Sequence, residues 1–554
     1  LQQSYERIGL KFLQQVKDEW TVKGIVEKSA VLGDEPFLIY ARTGETYSYG
    51  ETDNVANRIC NSLIRMGLNK GDRVGIYLTN RPEYVLTLFT LAKGGLIEVP
   101  VNTNFKTAEI TYMVNKAEIS TLIVESTSEF NEIVSKVADG APCLKNVIFL
   151  GEVPDSLQNR IKVYSLDEMM NSENASTPEV RVKDSDIFSI IFTSGTTGLP
   201  KGAISSNKSI VLAALSIGAV PINKASRNYT CLPLFHTNAQ VYSAIGMRCL
   251  GASLVLSEKF SPKNFWKEII EHQATFFNSI GGMMQILDSV YSEEDVPDHP
   301  AKAVFVGGTP AALWERFEQK FRVDVYEGYA MSEAPVLFMN NDPGQKQDKV
   351  GSFGKPIFAD LGRHIKVVDD QGRDIRVGIG ELLQKGGDFV TEGYWNAPEA
   401  NQEAFDADGW FHSGDVVRVD EDGYFYFVDR NKFMIRVGGE NVSAFEVEDV
   451  VNSHAAVAQS AAIPVSDPFK GEEIKVLVKL VDPGKGLDFK DIVLHCADRL
   501  AYFKVPRYLE VVDDFPKTAT ERIQKIQLKE LERTRESHGW DRNKEYSDWR
   551  DRCR

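Results

Sequence analysis

Phe192-Thr193-Ser194-Gly195-Thr196-Thr197-Gly198-Leu199-Pro200-Lys201-Gly202 is the stretch that decides how this chain is read. Four small hydroxyl residues, three glycines and one lysine stand behind a short apolar strand predicted over 184–194. Glycine lets a backbone approach an anion with no Cβ in the way. Hydroxyls and free N–H groups donate to phosphate oxygens, and Lys201 adds a positive charge. The loop is not a Walker loop, which requires Gly-Lys-Ser/Thr: here Pro200 precedes Lys201 and Gly202 follows it. Pro200 also lacks the N–H that a tight phosphate nest would use. No G-x-G-x-x-G stands in a strand–helix–strand setting. A plain Gly/Ser surface turn is the bland alternative, and the length of the run with its Pro-Lys-Gly ending counts against it.

Outward from this loop, helix and strand patterns alternate. Val55, Ile59, Leu63 and Ile64 predict a helix over 52–66, closed by Gly67 and Gly71. A helix is predicted over 82–91, and strands over 73–78, 96–101, 121–124 and 146–150. Such alternation argues for parallel sheets covered by helices. After the loop come a helix over 207–219 and strands over 275–278 and 302–306. From about 365 to 427 short strands and turns at Asp370-Gln371-Gly372 and Glu421-Asp422-Gly423 predict a β-rich unit. Beyond Asp429 a helix (444–452), two strands (457–464, 474–480) and a helix (489–500) predict a separate α+β unit. The expected fold is therefore α/β. A large N-terminal domain (1–429) holds two parallel-type sheets with helices, about 1–180 and 181–360, and a small β-rich subdomain, about 361–429. A linker (430–432) leads to an α+β C-terminal domain (433–554). The charged tail from Arg533 reads as a surface helix or a loose segment.

The chain has 554 residues, 43% hydrophobic and 26% charged, with a formal charge of −16. That composition is ordinary for globular domains, and so acidic a chain is a poor candidate for broad nucleic-acid binding. Six cysteines at irregular spacing, with no C-x-x-C, argue against a disulfide framework or structural zinc and for reduced thiols in the cytoplasm. The most apolar stretch, around 85–100, is interrupted by Lys93 and Glu98, which fits a buried helix and strand better than a membrane span. No basic-then-apolar leader is visible. The chain begins at Leu1 rather than Met, so a start further upstream is expected.

The loop resembles the phosphate-binding signature of the AMP-forming adenylating enzymes, which include acyl-CoA synthetases, luciferases and peptide-synthetase adenylation domains. Further motifs follow in that family's order over nearly the whole chain. The resemblance makes Thr193, Ser194, Gly195, Thr196, Thr197, Gly198 and Lys201 a triphosphate cradle. Tyr326-Glu327-Gly328-Tyr329-Ala330-Met331-Ser332-Glu333 resembles its aromatic-Gly-x-Thr-Glu segment. It implies that Tyr329 stacks on adenine, Ser332 contacts phosphate and Glu333 helps hold Mg²⁺, with Glu327, Gly328, Ala330 and Met331 lining the nucleotide. A carboxylate is also the expected ligand for a hard cation on phosphates, although Glu333 taken alone reads more readily as a solvated acid. Gly307, Gly308 and Thr309 resemble the Gly-Gly turn flanking the nucleotide. Asp415, in Gly409-Trp410-Phe411-His412-Ser413-Gly414-Asp415, would accept from both ribose hydroxyls, with Phe427 and Arg430 nearby.

His236 and Asn238, with Ser279 and Gly282, are implied as the acyl pocket. Met283 and Met284 suit either that pocket or the core. Lys432 falls at the family's hinge, and Gly438, Gly439 and Glu440 fall in the segment facing the site during thioester formation. One departure stands near the end: the family's adenylation lysine falls on Arg522. Arginine keeps the charge but not the point-like ammonium, and Lys517 and Lys525 are nearby substitutes. The implied function is an acyl-CoA ligase using a small-molecule carboxylic acid, ATP, coenzyme A and Mg²⁺, most similar to carnitine/crotonobetaine-type CoA ligases. An acyl-AMP ligase loading a carrier protein and a non-catalytic nucleotide-responsive binding protein stand as alternatives. Neither nucleic acid nor a transmembrane segment is expected, and a homodimer is left open.

Overall fold

The computed structural model describes residues 20–157, 160–193, 200–339, 347–369, 371–430, 433–437, 440–467, 471–517, 523–533, 535, 537–546 and 549. Helix Tyr49–Arg65 shows how local chemistry fixes an element. The Ser48 hydroxyl accepts from the Glu51 N–H (3.1 Å), and the Glu51 carboxylate accepts from the Ser48 N–H (2.7 Å), closing a capping box. Gly67 ends the turn at φ +94°, a conformation that needs no Cβ. Ile59 and Leu63 are buried as predicted, while Ile64 is exposed.

A seven-stranded sheet runs in the order Lys162–Ser165, Asn146–Leu150, Thr121–Glu125, Arg73–Tyr77, Ile97–Pro100, Ile187–Thr193, Lys201–Ser206. Its strands are parallel except the last, which pairs antiparallel with Ile187–Thr193. That last strand was not legible in the sequence, because Gly202 and its serines carry no strand alternation. A second sheet begins as parallel strands Pro36–Tyr40, Ser253–Leu256, Arg227–Thr230, Phe276–Ile280, Ala303–Gly307 and Asp324–Met331. It continues without a break through antiparallel strands Ala334–Met339, Ser352–Pro356, Phe425–Arg430, Phe411–Val419, Gly378–Lys385 and His364–Val368. The β-rich region is thus an extension of the second sheet, reached by strands that precede residue 361.

Sheet membership does not follow chain order. Pro36–Tyr40 pairs with Ser253–Leu256, whereas Ile187–Thr193 completes the first sheet beside Ile97–Pro100. A sequential division near residue 180 therefore cuts across both sheets. The main apolar core lies between them, and a second core fills the opposite face of the first sheet under helices Thr107–Ala117 and Ser128–Gly140. Lys93 is fully buried in helix Pro82–Gly94, its charge met by Asp53 at 2.7 Å and Glu27 at 3.4 Å. Among the described residues no helix is long and apolar enough to cross a membrane. The five described cysteines form no disulfide.

The second sheet ends at Arg430 and the next strand begins at Ile435. This third sheet joins Ile435–Val437, Glu440–Val442, Val457–Asp467, Gly471–Leu480, Tyr508–Val511 and Trp540–Asp541, with helices Ala444–Asn452, Phe489–Ala497 and Lys525–Arg533. The described part of the tail is packed rather than loose. Tyr546 and Trp549 are buried in the third core, and the buried Arg542 donates to the Val505 carbonyl (2.6 Å) and lies over the Trp549 ring. Counting charges hid this, because the two aromatics are spaced among polar residues. Trp549→Ala is expected to lower the stability of this unit by about 3–5 kcal/mol. Hydrogen exchange should quicken in Gly471–Leu480 and stay unchanged in Asn146–Leu150.

Candidate active site

Thr193 and Lys201 face each other as an antiparallel pair, so the two stems of the loop are held together. Gly202 is required there, since a Cβ would lie 2.6 Å from the Ile190 side chain. Ser194, Gly195, Thr196, Thr197 and Gly198 lie outside the described residues. Lys201 Nζ sits 5.5 Å from the centre of the Tyr394 ring and 3.6 Å from the Glu403 carboxylate.

Glu333 lies in the tight reversal between strands Asp324–Met331 and Ala334–Met339, next to half-buried Ser332. It is buried, and its Oε1 accepts from the Thr193 hydroxyl (3.1 Å) and the Tyr394 hydroxyl (3.0 Å). Two donors on one oxygen make the burial of a carboxylate tolerable. Burial, and then the Glu333 charge, hold the Tyr394 phenol well above its ordinary range. Tyr394 was not found from sequence: it lies in a turn, and no charge or spacing rule marks it. Its backbone bridges to Ala203, its N–H donates to the Asn401 side chain (2.6 Å), and the Trp395 N–H donates to the Gly202 carbonyl (2.8 Å).

A second cluster surrounds Asp415, which is 1% exposed. Strands Phe411–Val419 and Phe425–Arg430 place Asp415 opposite Arg430, whose Nε lies 3.0 Å from Oδ1. The Tyr329 hydroxyl donates to Oδ2 at 2.7 Å, and its ring stacks on Phe353 at 4.7 Å. Burial, then Asp415, keep the Tyr329 phenol well above its usual value. Burial works against the Arg430 charge, yet Asp415 and its other anionic neighbours hold the guanidinium above its ordinary value. Ala330 and Met331 follow, half-buried, on the same strand. Phe427 packs edge-on against Phe445 of the C-terminal unit.

Glu327 is committed to the neighbouring loop. It accepts from the Gly308 N–H (2.7 Å), the Thr309 N–H (3.0 Å) and the Thr309 hydroxyl, and burial pushes its carboxyl up to about 7. Gly307 ends the strand before that loop, and Gly328 packs under the Phe305 ring. Gly281 abuts the loop so closely that a Cβ would fall 2.0 Å from the Gly308 carbonyl oxygen, whereas Gly282 faces open space. Ser279 is buried. Asn238 accepts from the Asn278 amide at 2.7 Å, and the His236 ring lies 4.6 Å from that of Phe235. Met283 and Met284 belong to the main core.

Arg522, Lys432, Gly438 and Gly439 lie outside the described residues, and the Glu440 backbone pairs with Val437. Lys525 is held by Glu448 at 2.7 Å, within the C-terminal unit. Among the described residues no three His, Cys, Asp or Glu side chains converge on a metal. A buried carboxylate such as Glu333 is the kind of protein ligand that a hard cation, Mg²⁺ included, takes alongside phosphate and water oxygens.

A family model described as AMP-binding enzyme matches residues 26–395, and one described as AMP-binding enzyme C-terminal domain matches residues 446–522. The crotonobetaine/carnitine–CoA ligase of Salmonella typhi is 30% identical over 510 residues, covering 90% of this chain and 97% of that protein. The crystal structure of the anthranilate CoA ligase AuaEII in complex with anthranoyl-AMP superposes with a TM-score of 0.84 at 26% identity, covering 93% and 97% of the two chains. The o-succinylbenzoate CoA synthetase (MenE) from Bacillus subtilis, in complex with the acyl-adenylate intermediate OSB-AMP, superposes with a TM-score of 0.77 at 25% identity, covering 93% and 98%.

The Gly281–Gly308 contact gives a direct test of how tightly this wall is built. Gly281→Ala is expected to cost about 3 kcal/mol by overpacking. Gly308→Ala, strained in φ but unobstructed, is expected to cost only about 1–2 kcal/mol. Urea denaturation of both variants measures the difference.

Proposed function

We propose that this chain, which belongs to the AMP-binding enzyme family, is an AMP-forming acyl-CoA ligase. It joins a small-molecule carboxylic acid to AMP with loss of pyrophosphate, then passes the acyl group to the thiol of coenzyme A with loss of AMP. One observation carries the reading: Thr193 and Lys201, the stems of the glycine–threonine loop, meet the buried Glu333 carboxylate and Tyr394 at one place. A lysine, a hydroxyl-rich loop and a tethered carboxylate are what a Mg²⁺–triphosphate requires.

In the first half-reaction a carboxylate oxygen attacks the α-phosphorus, and the bond to pyrophosphate breaks. A weak anionic nucleophile meets an anionic phosphate, so fixed positive charge must stand where negative charge accumulates. Lys201 supplies it at the loop, and Arg522, the counterpart of the family's adenylation lysine, supplies it from the C-terminal unit. When bound, Mg²⁺ neutralises phosphate charge, with Glu333 as its protein ligand. Asp415 takes the ribose hydroxyls, steadied by Arg430 and Tyr329. Glu327 holds Gly308 and Thr309 in place beside the nucleotide, and His236, Asn238, Ser279 and Gly282 border the acid. Water must be kept out, or the adenylate hydrolyses.

In the second half-reaction the thiol attacks the acyl carbon and AMP leaves. The C-terminal unit, 433–554, turns about residues 430–432 with Lys432 as pivot, bringing Gly438, Gly439 and Glu440 to the site. The short passage from Arg430 to Ile435 supports that division.

Pyrophosphate exchange and thioester mass, measured over a panel of acids with and without coenzyme A, test the whole reading. Absence of exchange with every acid would defeat it, and transfer only to a carrier protein would redirect it. Lys201→Ala and Glu333→Ala are each expected to slow exchange about 100-fold or more, and Tyr394→Phe about tenfold. Arg522→Ala is expected to lose adenylation about 100-fold while still making thioester from supplied acyl-adenylate. Equal loss of both halves would remove Arg522 from that role.

A further inference from the structure

Glu98, on strand Ile97–Pro100, is fully buried and no mechanistic step uses it. It faces Gln240, also buried, on the segment Asn238–Ile245, which is a π-helix. Gln240 Nε2 donates to Glu98 Oε1 at 2.5 Å, and the Tyr84 hydroxyl reaches the same oxygen at 3.4 Å. Two atoms are left over at this contact, Glu98 Oε2 and Gln240 Oε1, both sealed from solvent and without a hydrogen-bond partner among the described residues. As a carboxylate, Glu98 has only acceptors to offer, and so has an amide oxygen. A proton on Glu98 turns the two leftovers into a donor and an acceptor, the complement that an acid–amide ring requires. Buried polar groups are expected to be satisfied in this way.

The segment held by this contact is unusual. π-helical turns are rare, and they occur mostly at functional sites. This one is pinned from the other side as well, because the Asn278 amide donates to Asn238 (2.7 Å) and to Ser243 (3.0 Å), and the Tyr242 hydroxyl donates to the Pro335 carbonyl (2.5 Å). Gln240 is thus its tie to the first sheet, and Asn278 its tie to the second.

We propose that Glu98 and Gln240 form a buried carboxylic acid–amide pair, and that this pair positions the π-helical wall, with Asn238, for the acid substrate. What the wall is for rests on the acyl-CoA ligase reading; the pair itself does not. Burial pushes the Glu98 carboxyl up to about 8, opposed only by Gln240 and Tyr84, and Tyr84 is itself held protonated by burial. The folded chain thus keeps this proton to about pH 8, whereas an ordinary carboxyl releases it near 4.5. Stability contributed by the pair is complete at low pH and is lost as pH rises through that window.

Glu98→Gln keeps the ring as an amide–amide pair but cannot ionise, which makes it the decisive variant. In wild-type enzyme the acid KM is expected to rise about tenfold between about pH 7 and 9.5 while the ATP KM stays constant. In Glu98→Gln the acid KM should be flat over the same range. Gln240→Leu should raise the acid KM about tenfold at neutral pH and spare the ATP KM. Identical acid-KM profiles in wild type and Glu98→Gln, or both KM values moving together, would overturn the positioning role. Urea midpoints read the pair without catalysis: from about pH 4.5 to 8 wild type should lose stability relative to Glu98→Gln. Parallel curves would overturn the protonated pair. If no acid is activated at all, the ligase reading falls, and the urea comparison still decides whether the pair exists.

Discussion

A carboxylate sealed inside a protein is unstable unless something donates to it, and the site of this chain is arranged around one such group. Glu333 is tolerated because hydroxyls from two distant parts of the chain, Thr193 and Tyr394, converge on one of its oxygens. That demand fixes much else. Thr193 is in place only because its strand pairs with Lys201–Ser206, and Tyr394 only because its turn docks on Gly202 and Ala203. The lysine, the loop stems and the turn between strands Gly378–Lys385 and Phe411–Val419 are therefore set by one buried charge. Asp415 repeats the logic with Tyr329 and Arg430. Both clusters lie where the second sheet changes from parallel to antiparallel pairing. The strand Asp324–Met331 contributes Tyr329, and the reversal that follows contributes Glu333.

The wall proposed for the acid obeys a different rule. It is built of neutral polar groups and of backbone brought too close for a side chain, as where Gly281 meets the Gly308 carbonyl. Such a wall has shape but little intrinsic stiffness. The asparagine ladder Asn228–Asn278–Asn238 and the Glu98–Gln240 contact supply that stiffness from both flanking sheets. On the proposed reading, phosphate chemistry is served by charge, and acid recognition by placement.

Much of this was legible in the sequence, and the omissions have a common cause. The strand Asn146–Leu150 and the helix Ala444–Asn452 were read to the residue, because apolar runs and helical spacing are local signals. The glycine–threonine loop and the Glu333 segment stood out because the chemistry expected of them, phosphate binding, restricts residue type, and the fold brings Thr193, Lys201 and Glu333 together. Pairing is not local. Nothing in 36–40 announces a partner at 253–256, and nothing in 201–206 announces an antiparallel strand. Tyr394 and Gln240 were missed because each matters through contacts made across the fold, to Glu333 and to Glu98. Glu98 was noticed only as a charge interrupting an apolar run, as Lys93 was. The structure separates them: Lys93 is neutralised by Asp53 and Glu27, whereas Glu98 meets an amide and a phenol.

The interleaving of the two sheets bears on how the chain must be born. Leu38 leaves the ribosome long before Leu254, the residue it will lie beside, has been synthesised. The first sheet likewise waits for Ser206 to complete its edge. An early apolar strand without its neighbour is an invitation to aggregate. Emerging from the translation tunnel, the first quarter of this protein has no finished layer to hide in and depends on helices such as Tyr49–Arg65 and Pro82–Gly94 for provisional cover.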